Sequence, residues 1–581
     1  MRPQITVLDA GGQYCHLIAR RVRDLGVYAE VAPSETPAHA LEGSRGLIIS
    51  GGPSSVYETG SPTIDPAILH NRIPVLGICY GQQLMAHALG GFVRKGDRGE
   101  YGFAQFEISH TDSLLRGIRG TQQVWMSHRD SVERTPDGFT VLGSTEHCEI
   151  AGMTAPDRNL YAIQFHPEVV HTPCGNTILE NFVFGICDCR RDWDAAGQIR
   201  SVEEHIRETA AGRNIFFFVS GGVDSTVAYT LCLRALGPER VMGVYVDTGL
   251  MREGETEFVR KQFSALGARN FRIEDARSRF LSALARATDP EEKRHIIGEA
   301  FVDVQDHVLE QFLDGQWILG QGTIYPDTIE SGGSAKADLI KTHHNRVAGI
   351  QRLISEGRLV EPLASFYKDE VRAIGRQLGV SRELLERHPF PGPGLAIRCL
   401  CSTGGGKPER TADGWILPVS SVGVQGDSRT YRAALALEDF PGSNDEAPRL
   451  INRLEGVNRV TVRVWTAAPI GEMGSFCTFL SAERLDRLRR ADAIVRRLSV
   501  EFGFDSTIWQ FPVVLIPFGT ADRPDSVVLR PVDSVDGMTA QAVRMPRELL
   551  DRIAGELAAQ PGIGGVFYDL TNKPPATIEW E

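Results

Sequence analysis

The segment Ile73–Gly91, IPVLGICYGQQLMAHALGG, joins a short apolar strand directly to a helix, with a cysteine at the junction. A strand that leads at once into a helix is typical of an α/β domain. At such a turn the side chain is exposed at the crest of the sheet, which is the geometry of a nucleophile elbow. Gly77 and Gly81 flank Cys79 and permit the sharp bend. The segment therefore predicts an α/β domain that presents a thiol at the edge of its sheet.

The surroundings of this thiol suggest nucleophilic catalysis. The N-terminus of the following helix carries partial positive charge and unpaired N–H groups, which favour a thiolate and bind an oxyanion. The segment QFHPEV places His166 and Glu168 two residues apart on an extended stretch, so both side chains point to one face. His166 would relay the proton and Glu168 would orient its imidazole. Taken singly, however, Cys79 and His166 are equally consistent with buried core residues.

Three motifs decide between these interpretations. ISGGPSSVY, GICYGQQ and FHPEV occur in this order and together resemble the class I glutamine amidotransferases, which hydrolyse glutamine to release ammonia. The resemblance covers the first part of the chain and implies a catalytic triad, an oxyanion hole built from two backbone amides, and a glutamine-binding side chain. The triad would be Cys79, His166 and Glu168. The oxyanion and glutamine-binding residues would be Gly52, Tyr80 and Gln83.

A second strand–loop–helix, FFFVSGGVDSTVAYTLCLRALG, spans residues 216–237. Its glycines let backbone N–H groups close around a phosphate, and the helix N-terminus adds its dipole. No GK[ST] follows, so the loop is not a Walker A sequence, and an ordinary glycine-rich turn is the alternative. The loop resembles the pyrophosphate loop of N-type ATP pyrophosphatases, which adenylylate an oxygen atom and release pyrophosphate.

That resemblance implies ATP as a co-substrate and Mg²⁺ as a cofactor, with Asp224 as the metal ligand. Asp247 ends the next predicted strand, whose carboxyl end should line the same crevice. Lys341, in LIKTHHN, suits the charge that develops on a phosphoryl group, although a solvated loop lysine is the alternative. The predicted ATP-binding residues are Ser220, Gly221, Gly222, Val223, Asp224, Ser225, Thr226, Asp247 and Lys341.

Five further segments indicate the acceptor of the ammonia: TDPEEKRHIIG, GQGTIYPDTIES, KTHHN, RHPFPGPGLAIR and KPPATIEWE. Together with the glutaminase motifs they resemble the GMP synthetase family, and the resemblance spans nearly the entire chain. It implies that ATP adenylylates the 2-oxygen of the xanthine ring of XMP and that ammonia displaces AMP to leave GMP. The implied XMP-binding residues are Arg252, Asp427, Arg429, Gln510, Lys573, Ile578 and Glu579.

The predicted fold class is α/β, with two doubly wound α/β domains followed by α+β C-terminal modules. The expected boundaries are 1–192 for the glutamine amidotransferase domain and 200–400 for the ATP pyrophosphatase domain. Two C-terminal modules are expected at 412–500 and 501–581. The polar stretch CSTGGGKPERTADG separates them from the preceding α/β part.

A weak internal repeat predicts that the C-terminal module is duplicated. LPVSSVGVQGD (417–427) resembles LRPVDSVDGMTA (529–540), and EGVNRVTVRVW (455–465) resembles PGIGGVFYDLT (561–571). Chance similarity among valine-rich strands is the alternative. Only the second copy ends in KPPATIEWE, so we expect it to bind XMP, and the first to replace the second subunit of shorter family members. The expected state is a monomer with an internal pseudo-dimer; a homodimer is the alternative.

Composition narrows the classes of function that remain possible. The net charge of −12 argues against a general nucleic-acid-binding surface, and the absence of any apolar run near 18 residues argues against a membrane span. Ten scattered cysteines without zinc-site or disulfide spacing favour a reducing, cytoplasmic location. Two rival functions remain: another glutamine-fed ATP pyrophosphatase, such as an NAD synthetase, and a non-catalytic scaffold that retains the fold.

Overall fold

The protein is described by a computed structural model that covers residues 2–12, 14–96, 99–312, 314–330, 348–425, 428–442, 446–534 and 539–581. Its contacts divide the chain into two compact units, residues 1–198 and 199–581. The first unit ends close to the predicted boundary at residue 192. The three later predicted segments lie together in the second unit.

The first unit contains a nine-stranded sheet in the order β2-β1-β3-β4-β11-β10-β9-β6-β7. Its strands, with the separate β5–β8 pair, are β1 Ile5–Asp9, β2 Ala29–Pro33, β3 Gly46–Ile49, β4 Val75–Ile78, β5 Phe92–Arg94, β6 Glu100–Ile108, β7 Thr121–His128, β8 Ser131–Arg134, β9 Thr140–Ser144, β10 Gly152–Ala155 and β11 Leu160–Ile163. The α-helices are Cys15–Asp24, Tyr80–Ala88 and Gly175–Glu180. The strands from β2 to β11 in this order are parallel, and the remaining four are antiparallel. Because β4 lies between β3 and β11, the residue that follows it lies near the middle of the parallel edge.

The second unit begins with a parallel sheet in the order β14-β13-β12-β15-β16. Its strands are β12 Asn214–Phe218, β13 Val241–Asp247, β14 Asn270–Asp275, β15 Trp317–Gly320 and β16 Leu359–Val360. The helices of this part are Ile199–Ala210, Val223–Leu236, Glu255–Ala265, Arg277–Leu284, Pro290–Leu309, Tyr325–Glu330, Ala348–Ser355, Lys368–Gln377 and Arg382–Leu385. The strand order reverses between β12 and β15, which is where ligands bind in doubly wound sheets. The α/β fold class is thereby confirmed for both units.

A seven-stranded mixed sheet completes the second unit, in the order β18-β19-β20-β21-β29-β26-β24. The strands after β16 are β17 Ser402–Thr403, β18 Glu409–Arg410, β19 Trp415–Gln425, β20 Ser428–Leu437, β21 Val457–Thr466, β22 Gly474–Ser475, β23 Cys477–Thr478, β24 Val513–Ile516, β25 Phe518–Gly519, β26 Asp525–Leu529, β27 Val532–Asp533, β28 Gln541–Ala542 and β29 Ile563–Asp569. The helices are Glu446–Arg453, Ala482–Glu501 and Arg547–Ala558. Both predicted C-terminal modules contribute to this one sheet.

Apart from the edge strand β18, the pairing pattern of this sheet is the same on both sides of its centre. The parallel pairs β20–β21 and β26–β29 are flanked by the antiparallel strands β19 and β24, and β21 faces β29 at the centre, where Val462 pairs with Tyr568. β21 and β29 thus occupy equivalent places. β19 lies at the flank of this pattern, whereas β26, which ends at residue 529, lies next to the central pair, so the strand order gives the predicted match of 417–427 with 529–540 no support. Short valine-rich strands resemble one another in composition, and only the pairing assigns their equivalents.

One apolar core continues from the parallel sheet of the second unit into its seven-stranded sheet. It includes Phe216 and Leu319 from the first sheet and Leu435, Val460 and Val527 from the second. The predicted segments 200–400 and 412–581 therefore share a core. Among the residues that the structure describes, no helix combines the length and apolar character needed to cross a membrane.

Candidate active sites

Cys79 lies at the sharp turn between β4 and the helix Tyr80–Ala88. Its φ of 54° and ψ of −106° are strained for a residue with a side chain, a conformation that costs about 1–3 kcal/mol and is often found at functional sites. The Cys79 N–H donates to the Ile163 carbonyl at 2.8 Å. A Cβ on Gly77 would lie 2.6 Å from the Gly81 carbonyl oxygen, so this glycine is required by close packing of the turn. The elbow predicted from the sequence is present.

His166 and Glu168 meet beside this turn. His166 Nδ1 lies 2.7 Å from Glu168 Oε1, and both side chains are buried. The His166 N–H donates to the Trp125 carbonyl at 3.0 Å, which fixes the start of the segment. A Cβ built on Gly51 would lie 3.0 Å from His166 Cε1 and 3.5 Å from Cys79 Cβ, so the imidazole and the thiol share one small space.

The charges around His166 set its protonation. Burial alone would lower the pKa of His166, but the negative charges of Glu168 and Cys79, with hydrogen bonds to both, raise the pKa to about 10. The imidazole is therefore protonated at neutral pH when the neighbouring sulfur is a thiolate. An imidazolium in this place can donate a proton to a leaving amine.

The raised pKa predicts how stability depends on pH. Because His166 binds its proton more tightly in the folded state, its contribution is complete below about pH 6.5 and is lost as pH rises through about 10. We expect His166→Gln to lower the melting temperature most near pH 6.5, and the difference from wild type to shrink towards pH 10. Thermal melts at several pH values measure this, with the exposed His110→Gln as control. A difference that does not change with pH would contradict it.

The predicted oxyanion and glutamine residues lie on or beside the helix that follows Cys79. Tyr80 begins its helix, so its N–H lacks an intrahelical partner. A Cβ on Gly52 would lie 3.4 Å from Tyr80 Cγ and 2.3 Å from the Ala10 carbonyl oxygen, so Gly52 is packed beside the helix start. Gln83 donates its Nε2 to the Asp130 carbonyl at 2.7 Å, which leaves its amide oxygen for a ligand.

The glycine-rich loop follows β12, at the reversal of strand order in the parallel sheet. Gly221 has a φ of 73°, and Gly222 caps the helix Val223–Leu236. The hydroxyl oxygens of Ser220 and Ser225 lie 3.2 Å apart, and the Gly222 N–H donates to Ser220 Oγ at 3.2 Å. The loop thus assembles two hydroxyls and a helix N-terminus, groups that bind phosphates. The Ser225 and Thr226 hydroxyls both donate to the Gly222 carbonyl, at 3.2 and 2.8 Å, and Thr226 differs in being fully buried.

Two aspartates flank this loop. Asp224 Oδ2 pairs with Lys368 Nζ at 2.5 Å, whereas its buried Oδ1 accepts no hydrogen bond within the described part of the chain. Asp247, at the end of β13, accepts a hydrogen bond from Thr256 Oγ1 at 2.9 Å. Lys341 lies outside the described residues. The sequence prediction missed Lys368, which begins the helix Lys368–Gln377.

Asp224 is suited to Mg²⁺, because a free carboxylate oxygen is the ligand type that this ion prefers, and Mg²⁺ often uses few protein ligands beside substrate phosphates. Among the described residues, no group of three or more His, Cys, Asp or Glu side chains could hold a metal ion. Any Mg²⁺ here would therefore depend on the nucleotide for most of its ligands.

Three of the predicted XMP-binding residues meet in one group of side chains, which we call the Arg398 cluster. Its members are Arg252, Phe390, Arg398, Gln510 and Glu579. Arg398 donates Nε and Nη2 to the two Glu579 carboxylate oxygens at 2.8 and 2.6 Å. The Arg252 and Arg398 guanidinium carbons lie 4.4 and 5.2 Å from the centre of the Phe390 ring. Gln510 Nε2 lies 3.4 Å from Glu579 Oε1.

The remaining predicted XMP residues are placed less completely. Lys573 is joined by backbone hydrogen bonds to Ala540, and Ile578 is half-buried in the same tail. Arg429 lies in β20, with its side chain outside the described part, and Asp427 lies outside the described residues altogether. Phe390 and Arg398 were not predicted as site residues, although both occur in the quoted motif RHPFPGPGLAIR.

The C-terminal tail, which carries Lys573, Ile578 and Glu579, is also held in place by contacts outside the Arg398 cluster. The buried Asp569 pairs with Arg459 and Arg530, each at 2.9 Å, and accepts the Trp580 indole N–H at 2.9 Å. Arg530 Nε also donates to the Ile578 carbonyl at 2.8 Å. These buried contacts anchor the tail on β21, β26 and β29.

Comparisons with known protein families match three separate parts of the chain. Residues 6–186 match the family "Glutamine amidotransferase class-I", residues 196–294 match "NAD synthase", and residues 500–580 match "GMP synthase C terminal domain". The chain thus unites a glutamine amidotransferase with an ATP pyrophosphatase-type domain.

Relatives along the whole length are more specific. A probable glutamine-hydrolysing GMP synthase of Leptospira interrogans is 42% identical over 100% of this chain and 99% of its own. The GMP synthase of Natranaerobius thermophilus is 39% identical over the full length of both chains. That of Thermobifida fusca is 39% identical over 99% of this chain and 98% of its own. The chain belongs to the family of glutamine-hydrolysing GMP synthases.

Proposed function

We propose that this protein forms GMP from XMP, with glutamine as the nitrogen donor and ATP as the activating substrate. The observation that carries the proposal is the meeting of Arg252, Gln510 and Glu579, which are far apart in the sequence. Each is assigned to XMP by the family resemblance. The NAD synthase match is confined to residues 196–294, whereas the GMP synthase relatives match the whole chain.

In the proposed glutaminase reaction, the Cys79 sulfur attacks the amide carbon of glutamine and forms a tetrahedral oxyanion. The Gly52 and Tyr80 N–H groups stabilise that oxyanion. His166 donates a proton to the leaving nitrogen, the C–N bond breaks, and ammonia departs from a glutamyl thioester. Water then hydrolyses the thioester to glutamate. Glu168 orients the imidazole and stabilises its charged form.

In the proposed activation reaction, the 2-oxygen of XMP attacks the α-phosphorus of ATP and pyrophosphate leaves. Ser220, Ser225 and the loop N–H groups bind the phosphates, and Asp224 would hold Mg²⁺, which neutralises phosphate charge when bound. An amide-like oxygen is a poor leaving group, and adenylylation makes it a good one. Ammonia then attacks the 2-carbon and AMP departs, leaving GMP.

A product assay tests this proposal. Purified protein is incubated with XMP, ATP, Mg²⁺ and glutamine, and each component is omitted in turn. We expect GMP, AMP and pyrophosphate only when XMP and ATP are present, with glutamine replaceable by ammonia. Deamido-NAD and aspartate are offered in parallel as rival acceptors. Cleavage of ATP without amination of XMP would refute the proposed function.

We further propose that the two halves of the seven-stranded sheet are duplicated modules that form a pseudo-dimer. The sequence match of 455–465 with 561–571 equates Val462 with Tyr568, and these residues face each other across β21 and β29. Where a residue pairs with its own counterpart across two antiparallel strands, a local two-fold axis passes between them. This register supports duplication more strongly than the sequence similarity does.

Ion pairs at equivalent positions add support. Glu438 follows β20 and pairs with Arg463 at 2.8 Å, whereas Arg530 follows β26 and pairs with Asp569 at 2.9 Å. Glu438 corresponds in position to Arg530, and Arg463 to Asp569, but the acidic and basic residues have exchanged places. In both halves an indole N–H donates to the carboxylate at 2.9 Å. The two indole donors are Trp415 and Trp580.

The pseudo-dimer predicts a monomer in solution, because the seam between β21 and β29 is already filled within one chain. Sedimentation velocity should give one species near 63.8 kDa at every protein concentration. A stable dimer that persists in high salt would contradict the prediction.

We place the enzyme in a reducing cytoplasm, since all ten cysteines are described and all are free.

A further inference from the structure

We propose that Arg398 is a positioning residue that fixes the carboxylate of Glu579 against the purine of XMP. This inference rests on the proposed function, because Glu579 is assigned to XMP by resemblance. Arg398 is fully buried, and Glu579 has 16% of its side chain exposed. One edge of the carboxylate is therefore turned to a buried cation, and part of the side chain remains accessible.

The contact between Arg398 and Glu579 has a geometry that fixes the orientation of the carboxylate. Two parallel N–H···O bonds from one guanidinium form a two-point contact, which restrains a carboxylate more than a single charge does. An ionised carboxylate has about four acceptor positions; Arg398 uses two of them, and Gln510 Nε2 contacts a third at 3.4 Å. Those that remain can accept ring N–H groups, which a xanthine base presents. Arg398 would thus set which way these acceptors face.

A purely structural role explains the pair less well. Asp569, Arg459, Arg530 and Trp580 already anchor the tail through buried contacts. Burying a charged pair is costly and seldom adds stability over apolar packing. In addition, Arg398 Nη1 is a buried nitrogen that donates no hydrogen bond within the described part of the chain. Arg252 Nε donates none there either, although it lies 3.6 Å from the buried Asp492 carboxylate. The fold alone does not satisfy this cluster, which is expected of a site completed by a ligand.

Arg398 also links the carboxylate to an aromatic ring. Its guanidinium carbon lies 5.2 Å from the centre of Phe390, and Gln510 Nε2 donates to the Pro389 carbonyl at 3.0 Å. The segment that carries Phe390 and the tail that carries Glu579 are thus connected through two side chains. A shift of Arg398 would displace its contact with the Phe390 ring and its contact with the Glu579 carboxylate together.

A double-mutant cycle tests the inference in the ammonia-supplied reaction of the full-length protein. Arg398→Lys keeps the charge but loses the two-point contact. We expect it to raise the KM for XMP about tenfold, with the KM for ATP within about twofold of wild type. Glu579→Gln should raise the KM for XMP at least as much. The double variant should be no worse than Glu579→Gln alone, because Arg398 acts through Glu579.

The matched control is Arg382→Lys, which alters an exposed arginine paired with Glu386 at 2.6 Å in the same unit. It should change neither KM. If Arg398→Lys does not fold, as judged by thermal melting, Glu579→Asp serves instead. It keeps both charges but retracts the carboxylate, and it should raise the KM for XMP about tenfold.

The outcomes distinguish the proposed XMP site from the proposed positioning role of Arg398. An unchanged KM for XMP in Glu579→Gln would mean that the tail carboxylate does not bind the nucleotide, and the assigned XMP site would be wrong. A raised KM in Glu579→Gln with no change in Arg398→Lys or Glu579→Asp would overturn only the positioning role. Additive effects of Arg398→Lys and Glu579→Gln would also overturn it.

Discussion

Replacing Cys79 with alanine is expected to abolish GMP formation from glutamine and to leave formation from added ammonia near the wild-type rate. The sulfur is the proposed nucleophile, and no thioester forms without it, so the glutamine-dependent rate should fall at least about 10³-fold. The ammonia-dependent reaction uses residues of the other compact unit, residues 199–581, and should continue. The measurement is GMP production from each nitrogen source at saturating XMP and ATP.

Cys148→Ala is the matched control for this prediction. Cys148 is also buried in the first unit, but burial raises the pKa of its thiol to about 12, so it is a poor nucleophile. Both nitrogen sources should support this variant equally well. Trapping of a glutamyl thioester should succeed with wild type and Cys148→Ala and fail with Cys79→Ala. If ammonia also fails to support Cys79→Ala, the separation of the two active sites is wrong.

The parts of the fold that the sequence predicted correctly are those determined by local pattern. The strand–Cys79–helix corner follows from a short apolar run and flanking glycines, and the loop after β12 follows from a similar run and Ser220–Gly222. The seven-stranded sheet was not predicted, because it depends on β21 pairing with β29 across about a hundred residues. Pairing over such a distance leaves little mark on the sequence of either strand.

The difference between local pattern and distant contacts also decides which parts of the sites the sequence predicted. His166 and Glu168 are two residues apart, so period-two geometry predicted that they meet, and their side chains lie 2.7 Å apart. Lys368 is 144 residues from Asp224, and Arg398 is 181 residues from Glu579. Nothing in the sequence near Arg398 indicates a carboxylate so far along the chain. Such partners are identified only when the tertiary contacts are known.

Asp224→Asn is expected to stop synthesis with either nitrogen source, in contrast to Cys79→Ala. The substitution removes the negative charge proposed to hold Mg²⁺, and loss of such preorganised charge costs about 10²- to 10³-fold in rate. Glutamyl thioester trapping at Cys79 should remain normal, since that chemistry belongs to the other unit. Release of pyrophosphate and formation of GMP from ammonia are measured at several Mg²⁺ concentrations, and the concentration of Mg²⁺ for half-maximal rate should rise.

Loss of the ion pair with Lys368 is a competing explanation, and it predicts a smaller effect. The Asp224 and Lys368 side chains are 28% and 43% exposed, and a pair exposed to that degree contributes about 0–1 kcal/mol to stability. Asp303→Asn, which breaks the more exposed pair with Arg279 at 2.7 Å, is the control and should retain full activity. Asp224→Asn should melt within a few degrees of Asp303→Asn, because each loses one exposed ion pair. A fall in rate that follows the melting temperature, or a rate within about threefold of wild type, would show that Asp224 does not bind the metal that ATP requires.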